Sequence, residues 1–86
     1  MSSSLFWAPP PAQVKERPIG LKYEIARYFD PEWNGLSADF GMVGKELIPF
    51  LKGIVAVSNE RTDCDTAKEL IAAIEKYGEI QLYIKG

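Results

Sequence analysis

The stretch Asp65-Thr-Ala-Lys-Glu-Leu-Ile-Ala-Ala-Ile-Glu-Lys-Tyr-Gly-Glu-Ile-Gln-Leu-Tyr-Ile-Lys85 carries two different hydrophobic periods in succession. Ala67, Leu70, Ile71, Ile74 and Tyr77 recur every three or four residues, which places them on one stripe of a helix. Gly78 stands where such a helix is expected to end, and Asp63 or Asp65 is placed to cap its start. From Glu79 the period changes to two. Ile80, Leu82 and Ile84 alternate with Gln81, Tyr83 and Lys85, so residues 79–85 are expected to form a half-buried strand with Tyr83 outward. A helix stripe and a strand face that share one core imply a two-layer α+β domain.

Upstream, Leu47, Phe50, Leu51, Ile54 and Val57 lie along a second helical stripe over about 47–57. Pro49 confines its regular start to Glu46 or later. Gly53 and the β-branched run Ile54-Val55-Ala56-Val57 leave a buried strand open as the reading of 54–57. Residues 38–43 read as a short strand weakened by Gly41. A further helix is expected from Ile19 or Gly20 to Phe29, with Leu21, Ile25 and Phe29 inward and Asp30-Pro31 ending it. Between these elements, 31–37 form a loop with an Asn34-Gly35 turn, in which Trp33 caps the core or stands exposed. Residues 58–64 are a polar connector.

Residues 1–18 read as an extended arm, with Pro9, Pro10 and Pro11 favouring polyproline II and Pro18 extending Arg17. Leu5, Phe6 and Trp7 sit within it. They either pack across the domain, as a small core invites, or dock into another chain. The expected organisation is an arm (1–18) followed by one compact α+β domain (19–86). About three helices cover a two- or three-stranded sheet, and the last strand pairs with 38–43 and with part of the arm.

Composition narrows the chemistry. At 86 residues and 9.6 kDa, with 47% apolar and 26% charged residues, the chain has room for one domain. Histidine is absent, which removes the commonest general base and metal ligand. The single cysteine, Cys64, excludes an intramolecular disulfide and fits a reducing, cytoplasmic setting. The start lacks the basic region of a signal peptide, and no stretch approaches the roughly 20 apolar residues that span a bilayer, so no membrane partner is expected. Asp63, Asp65 and Glu69 are the densest acidic group, but acids at a helix start are what capping and the helix dipole favour. Cys64 has no histidine to activate it, and Gly41-x-x-Gly44 lacks the basic flanks of a backbone clamp. No catalytic residue, cofactor or metal is expected.

The phrases Lys45-Glu-Leu-Ile-Pro-Phe-Leu-Lys-Gly53 and Ala73-Ile-Glu-Lys-Tyr-Gly-Glu-Ile-Gln-Leu-Tyr-Ile84, behind a Trp-Ala-Pro-Pro-Pro start, resemble those of small uncharacterised accessory proteins of tailed phages and prophages. The resemblance implies a non-structural protein acting inside a bacterial cell, and it carries no catalytic residues.

The function expected is therefore that of a non-catalytic interaction module binding a protein partner or itself. Leu5, Phe6, Trp7 and Tyr83, together with the edge of the 79–85 strand, are the candidate surfaces. On that reading, Trp7→Ala and Tyr83→Ala weaken association and leave the fold intact. A homodimer would relieve both a small core and an open sheet edge. The alternative is a nucleic-acid accessory protein using Lys15, Arg17, Lys22, Tyr23 and Arg27, since residues 1–29 carry a net charge of +2. Against it stands the overall charge of −2.

Overall fold

A computed structural model describes residues 3–86. Residues 1 and 2 of the expected arm lie outside the described residues. The elements, in chain order, are β1 (Ser4–Ala8), β2 (Lys15–Arg17), α1 (Gly20–Phe29), β3 (Ala38–Val43), α2 (Ile48–Val57), α3 (Arg61–Tyr77) and β4 (Ile80–Lys85), with a single 3-10 turn (Lys45–Leu47) leading into α2. The fold is α+β, as the two periods imply. Its sheet has four strands rather than two or three, in the order β2-β1-β4-β3 and antiparallel throughout.

The additional strands come from the arm. Leu5 pairs with Ile84 and Trp7 with Leu82, so β1 lies along β4 from end to end. Pairing stops after Ala8, where proline has no N–H to offer the ladder. The proline triplet lies in the connection that turns the chain back into β2, which adds itself outside β1. Residues 1–18 are thus not a separate arm in their described part. They are half of the sheet.

One face of the sheet is the floor of the core. Leu5, Trp7, Ile80, Leu82, Ile84 and Val43 meet Leu21, Ile25, Leu47, Leu51, Leu70 and Ile74 from the helices. α1 lies against β1 and α3 against β4, while α2 packs chiefly on α3. Trp33 caps this core, its indole N–H donating to the Leu36 carbonyl at 2.7 Å. Residues 54–57 continue α2 as helix. Pro49 is accommodated in the first turn of that helix, where no N–H is needed.

α3 begins at Arg61, earlier than the capping aspartates suggest. Ser58 Oγ accepts the Glu60 N–H at 3.1 Å, so the connector turns before the aspartates and Asp63 lies within the first turn. Gly78 ends the helix at φ 83°, a positive value that glycine adopts without a Cβ clash. In β3, the register slips between Asp39 and Met42, where Gly41 takes φ 68° in a bulge. Just beyond, Gly44 N–H donates to Glu46 Oε1 at 3.0 Å, and this contact holds the Glu46 carboxyl below its usual range.

Candidate functional site

Period-two alternation that sends Leu5 and Trp7 into the core sends Phe6 to the opposite face, where no helix lies. Register then assembles a row across all four strands. Glu16 of β2 pairs with Phe6 of β1, Phe6 with Tyr83 of β4, and Tyr83 with Asp39 of β3. The Phe6 and Tyr83 rings stack at 5.3 Å with an interplanar angle of 9°. A carboxylate on each edge strand therefore brackets an aromatic pair on the two central strands.

The neighbouring rows are polar or small apart from the exposed Met42. Ser4 pairs with Lys85 on one side, and on the other Ala8 pairs with Gln81 and Gln81 with Met42. Ser4 Oγ donates to Glu16 Oε1 at 2.9 Å, and Asp39 Oδ1 accepts the Gly41 N–H at 2.9 Å, so each carboxylate has one oxygen engaged within the chain. A cleft of about 510 Å³ runs over this face. Ala8, Ala12 and Val14 wall one side, Ser37 and Asp39 the other, with Gln81, Tyr83 and Lys85 on its floor.

Of the four candidate partner-binding residues, the structure leaves two at the surface. Phe6 and Tyr83 are half-buried and adjacent. Leu5 is fully buried, and Trp7 is 3% exposed with its indole N–H donating to Glu69 Oε2 of α3 at 2.9 Å. Leu5 and Trp7 are core residues and cannot touch a partner without unfolding β1. The edge of the 79–85 strand is likewise not open, because β1 and β3 flank β4 on both sides. The free edges belong to β2 and β3.

The basic residues do not converge. Lys22 is 3% exposed, its ammonium donating to the Ser3 carbonyl at 3.0 Å and lying 4.7 Å from the Tyr23 ring centroid. Arg17 forms an ion pair with Glu69, on the helix side of the sheet. Lys15 lies over the Trp7 ring, 5.2 Å from its centroid. Lys15 and Arg27 are exposed but lie on different elements, β2 and α1, and Tyr23 is exposed beside Trp33. Lys22 is withdrawn from any phosphate because anchoring the start of β1 uses its charge.

The acidic group at the start of α3 also disperses. Glu69 binds Trp7 and Arg17, whereas Asp65 lies 3.8 Å from Arg61. Cys64 is half-buried, its thiol facing the carbonyls of Val55 and Ser58. Among the described residues, no group of three or more acidic or cysteine side chains is gathered in a way that could hold a metal ion, and no helix is long and apolar enough to cross a membrane.

Sequence reasoning missed two features. Glu16 and Asp39 flank the aromatic pair only through the register of four strands. The second feature is an aromatic cluster at the β3 edge. There Phe29 stacks on Phe40 at 4.9 Å, and Tyr28 meets Phe50 at 4.5 Å. Tyr28 and Phe29 are 47% and 39% exposed at the end of α1, although the helical stripe assigns Phe29 inward.

No protein-family model, curated protein or solved structure matches this chain.

Proposed function

We propose that this chain is a small non-catalytic protein-interaction module whose docking surface is the open face of its sheet. The observation that carries this reading is the Phe6–Tyr83 stack, centred on the face opposite the helices and half-exposed there. Rigid aromatics in the middle of a surface, surrounded by polar groups, are the usual anchors of protein interfaces. The setting proposed is cytoplasmic, as an accessory protein of a tailed phage or prophage, on the strength of the sequence phrases that resemble that group.

Nucleic-acid binding has one observation in its favour. An open sheet with aromatics on its central strands is a geometry on which unpaired bases stack. Charge weighs against it. The groups bracketing Phe6 and Tyr83 are the carboxylates Glu16 and Asp39, which repel a phosphate backbone.

The experiment is affinity capture from the source cell with the wild-type chain and with Phe6→Ser/Tyr83→Ser as paired baits. A protein retained by the wild type and lost by the double variant is the expected result. Equal retention by both baits rules the face out, and nuclease-sensitive capture reinstates the nucleic-acid reading.

A further inference from the structure

We infer that the cleft on the open sheet face takes an arginine side chain, presented by an extended segment of the partner protein. The inference rests on the face being a docking surface and names the chemistry that docks there.

Charge sets the sign of the occupant. Alternation turns Glu16 of β2 and Asp39 of β3 outward with Phe6 and Tyr83, while Lys15 and Arg17 go to the helix side, onto Trp7 and Glu69. Lys85 is the one base among the outward side chains of the four strands. Two carboxylates against one ammonium make the face acidic, so it is complementary neither to itself nor to a phosphate backbone. It attracts a cation.

Shape narrows the cation. The β1–β2 connection brings Ala12 and Val14 over the face, so the cleft of about 510 Å³ admits one extended segment and not a second flat sheet. Ala8, Ala12 and Val14 make one wall apolar, and Asp39 makes the opposite wall acidic. Phe6 stacks against the Tyr83 ring at 5.3 Å and does not line the cleft. The free side of Tyr83 therefore faces the cleft, next to its strand partner Asp39. The Gly41 N–H fixes the orientation of the exposed Asp39 carboxylate through Oδ1. A fitting side chain needs an apolar stem that ends in a planar cation.

Arginine has both. Its methylenes suit the alanine and valine wall, and its guanidinium stacks on a tyrosine ring while donating to a carboxylate. Gln81, on the floor, offers an amide oxygen to a further N–H. A lysine ammonium lacks the plane that the ring selects. Lys85 lines the same cleft and opposes the attraction, so removing its charge tests the sign of the effect.

The test is an NMR titration of the isotope-labelled full chain with the capped peptide Gly-Ala-Arg-Ala-Gly as probe. Parallel titrations replace its arginine by lysine, by the neutral isostere citrulline and by glutamate. The arginine peptide is expected to give saturable shifts of the Tyr83 ring and the Gln81 side-chain amide. The lysine peptide should bind about threefold more weakly, the citrulline peptide about fivefold more weakly, and the glutamate peptide not at all. Asp39→Asn keeps an oxygen for the Gly41 N–H and should weaken the arginine peptide about threefold to fivefold. Lys85→Gln should tighten it about twofold.

Equal binding of the citrulline peptide, no loss in Asp39→Asn, or shifts confined to the helix side would overturn the inference. So would the same shifts on concentrating the chain without peptide, if Arg27→Gln or Arg61→Gln abolished them, because the arginine would then be the chain's own. If no peptide binds at millimolar concentration while Phe6→Ser/Tyr83→Ser still loses a captured protein, the docking face stands and the arginine falls.

Discussion

Along β1 and β4, neighbouring side chains enter two environments. Leu5, Trp7, Ile80, Leu82 and Ile84 are at most 3% exposed beneath the helices, while Phe6 and Tyr83 are only half-buried on the other side. Each face presents an aromatic from β1, but the inner one is set among aliphatic residues and the outer one among polar and charged ones. The difference lies in what covers them. Trp7 has a carboxylate from α3 for its N–H and apolar neighbours on several sides, whereas Phe6 has one ring beside it. One aromatic of β1 thus becomes core and the other available surface.

Substitutions on the two faces should separate accordingly. Trp7→Ala is expected to have the largest effect. Emptying a buried indole costs roughly 3–5 kcal/mol, a large share of the stability of so small a domain. Urea denaturation should find it largely unfolded or with a sharply lowered midpoint. A folded, stable Trp7→Ala chain would mean that β1 does not belong to the core.

Glu69→Gln probes the tie between the inner face and α3. The amide oxygen can still accept the indole N–H, but the attraction for Arg17 is lost. Glu69 is partly exposed, so solvent screening limits the expected loss to roughly 1 kcal/mol, read from the same denaturation curves. Phe6→Ala should cost about as much, roughly 0.5–1.5 kcal/mol from the aromatic pair, while removing association. If it destabilised the fold as severely as Trp7→Ala, the outer face would be a second core rather than a docking surface.

The smallest expected effect lies at the β3–α2 junction. The Gly44 N–H lowers the folded pKa of Glu46 below its ordinary value of 4.5. The charged form is therefore favoured by folding. That contribution is present above pH 4.5 and fades as pH falls through the lowered folded value. Glu46→Gln should therefore lower the melting temperature slightly at neutral pH and leave it nearly unchanged at acid pH, where the wild-type carboxyl is itself protonated, measured as melting temperature against pH.

Much of the α3–β4 half was legible because its contacts obey local periods. Leu70 and Ile74 face inward for the same reason that any three-four repeat does, and Ile80, Leu82 and Ile84 face inward by alternation. The start of α3 was not legible, since Arg61 to Asp65 present no apolar stripe and the helix there is set by the Ser58 turn. β2 was least legible of all. Lys15-Glu-Arg17 contains no apolar residue and becomes a strand because the chain reverses at the prolines and meets the free edge of β1. The candidate site was half legible: Tyr83 followed from alternation, but its neighbour Phe6 lies at the other end of the chain.

The sequence by itself determined the three helices, the final strand with Tyr83 outward and the absence of histidine chemistry. Each of these depends on residue type or on spacings of a few residues. Tertiary structure alone decided that the N-terminal segment is half of the sheet, that Leu5 and Trp7 are core while Phe6 is surface, and that Glu16 and Asp39 bracket one aromatic pair. Those outcomes depend on register between strands far apart in the chain. Shifting that register by one residue would exchange the two faces without changing a single amino acid.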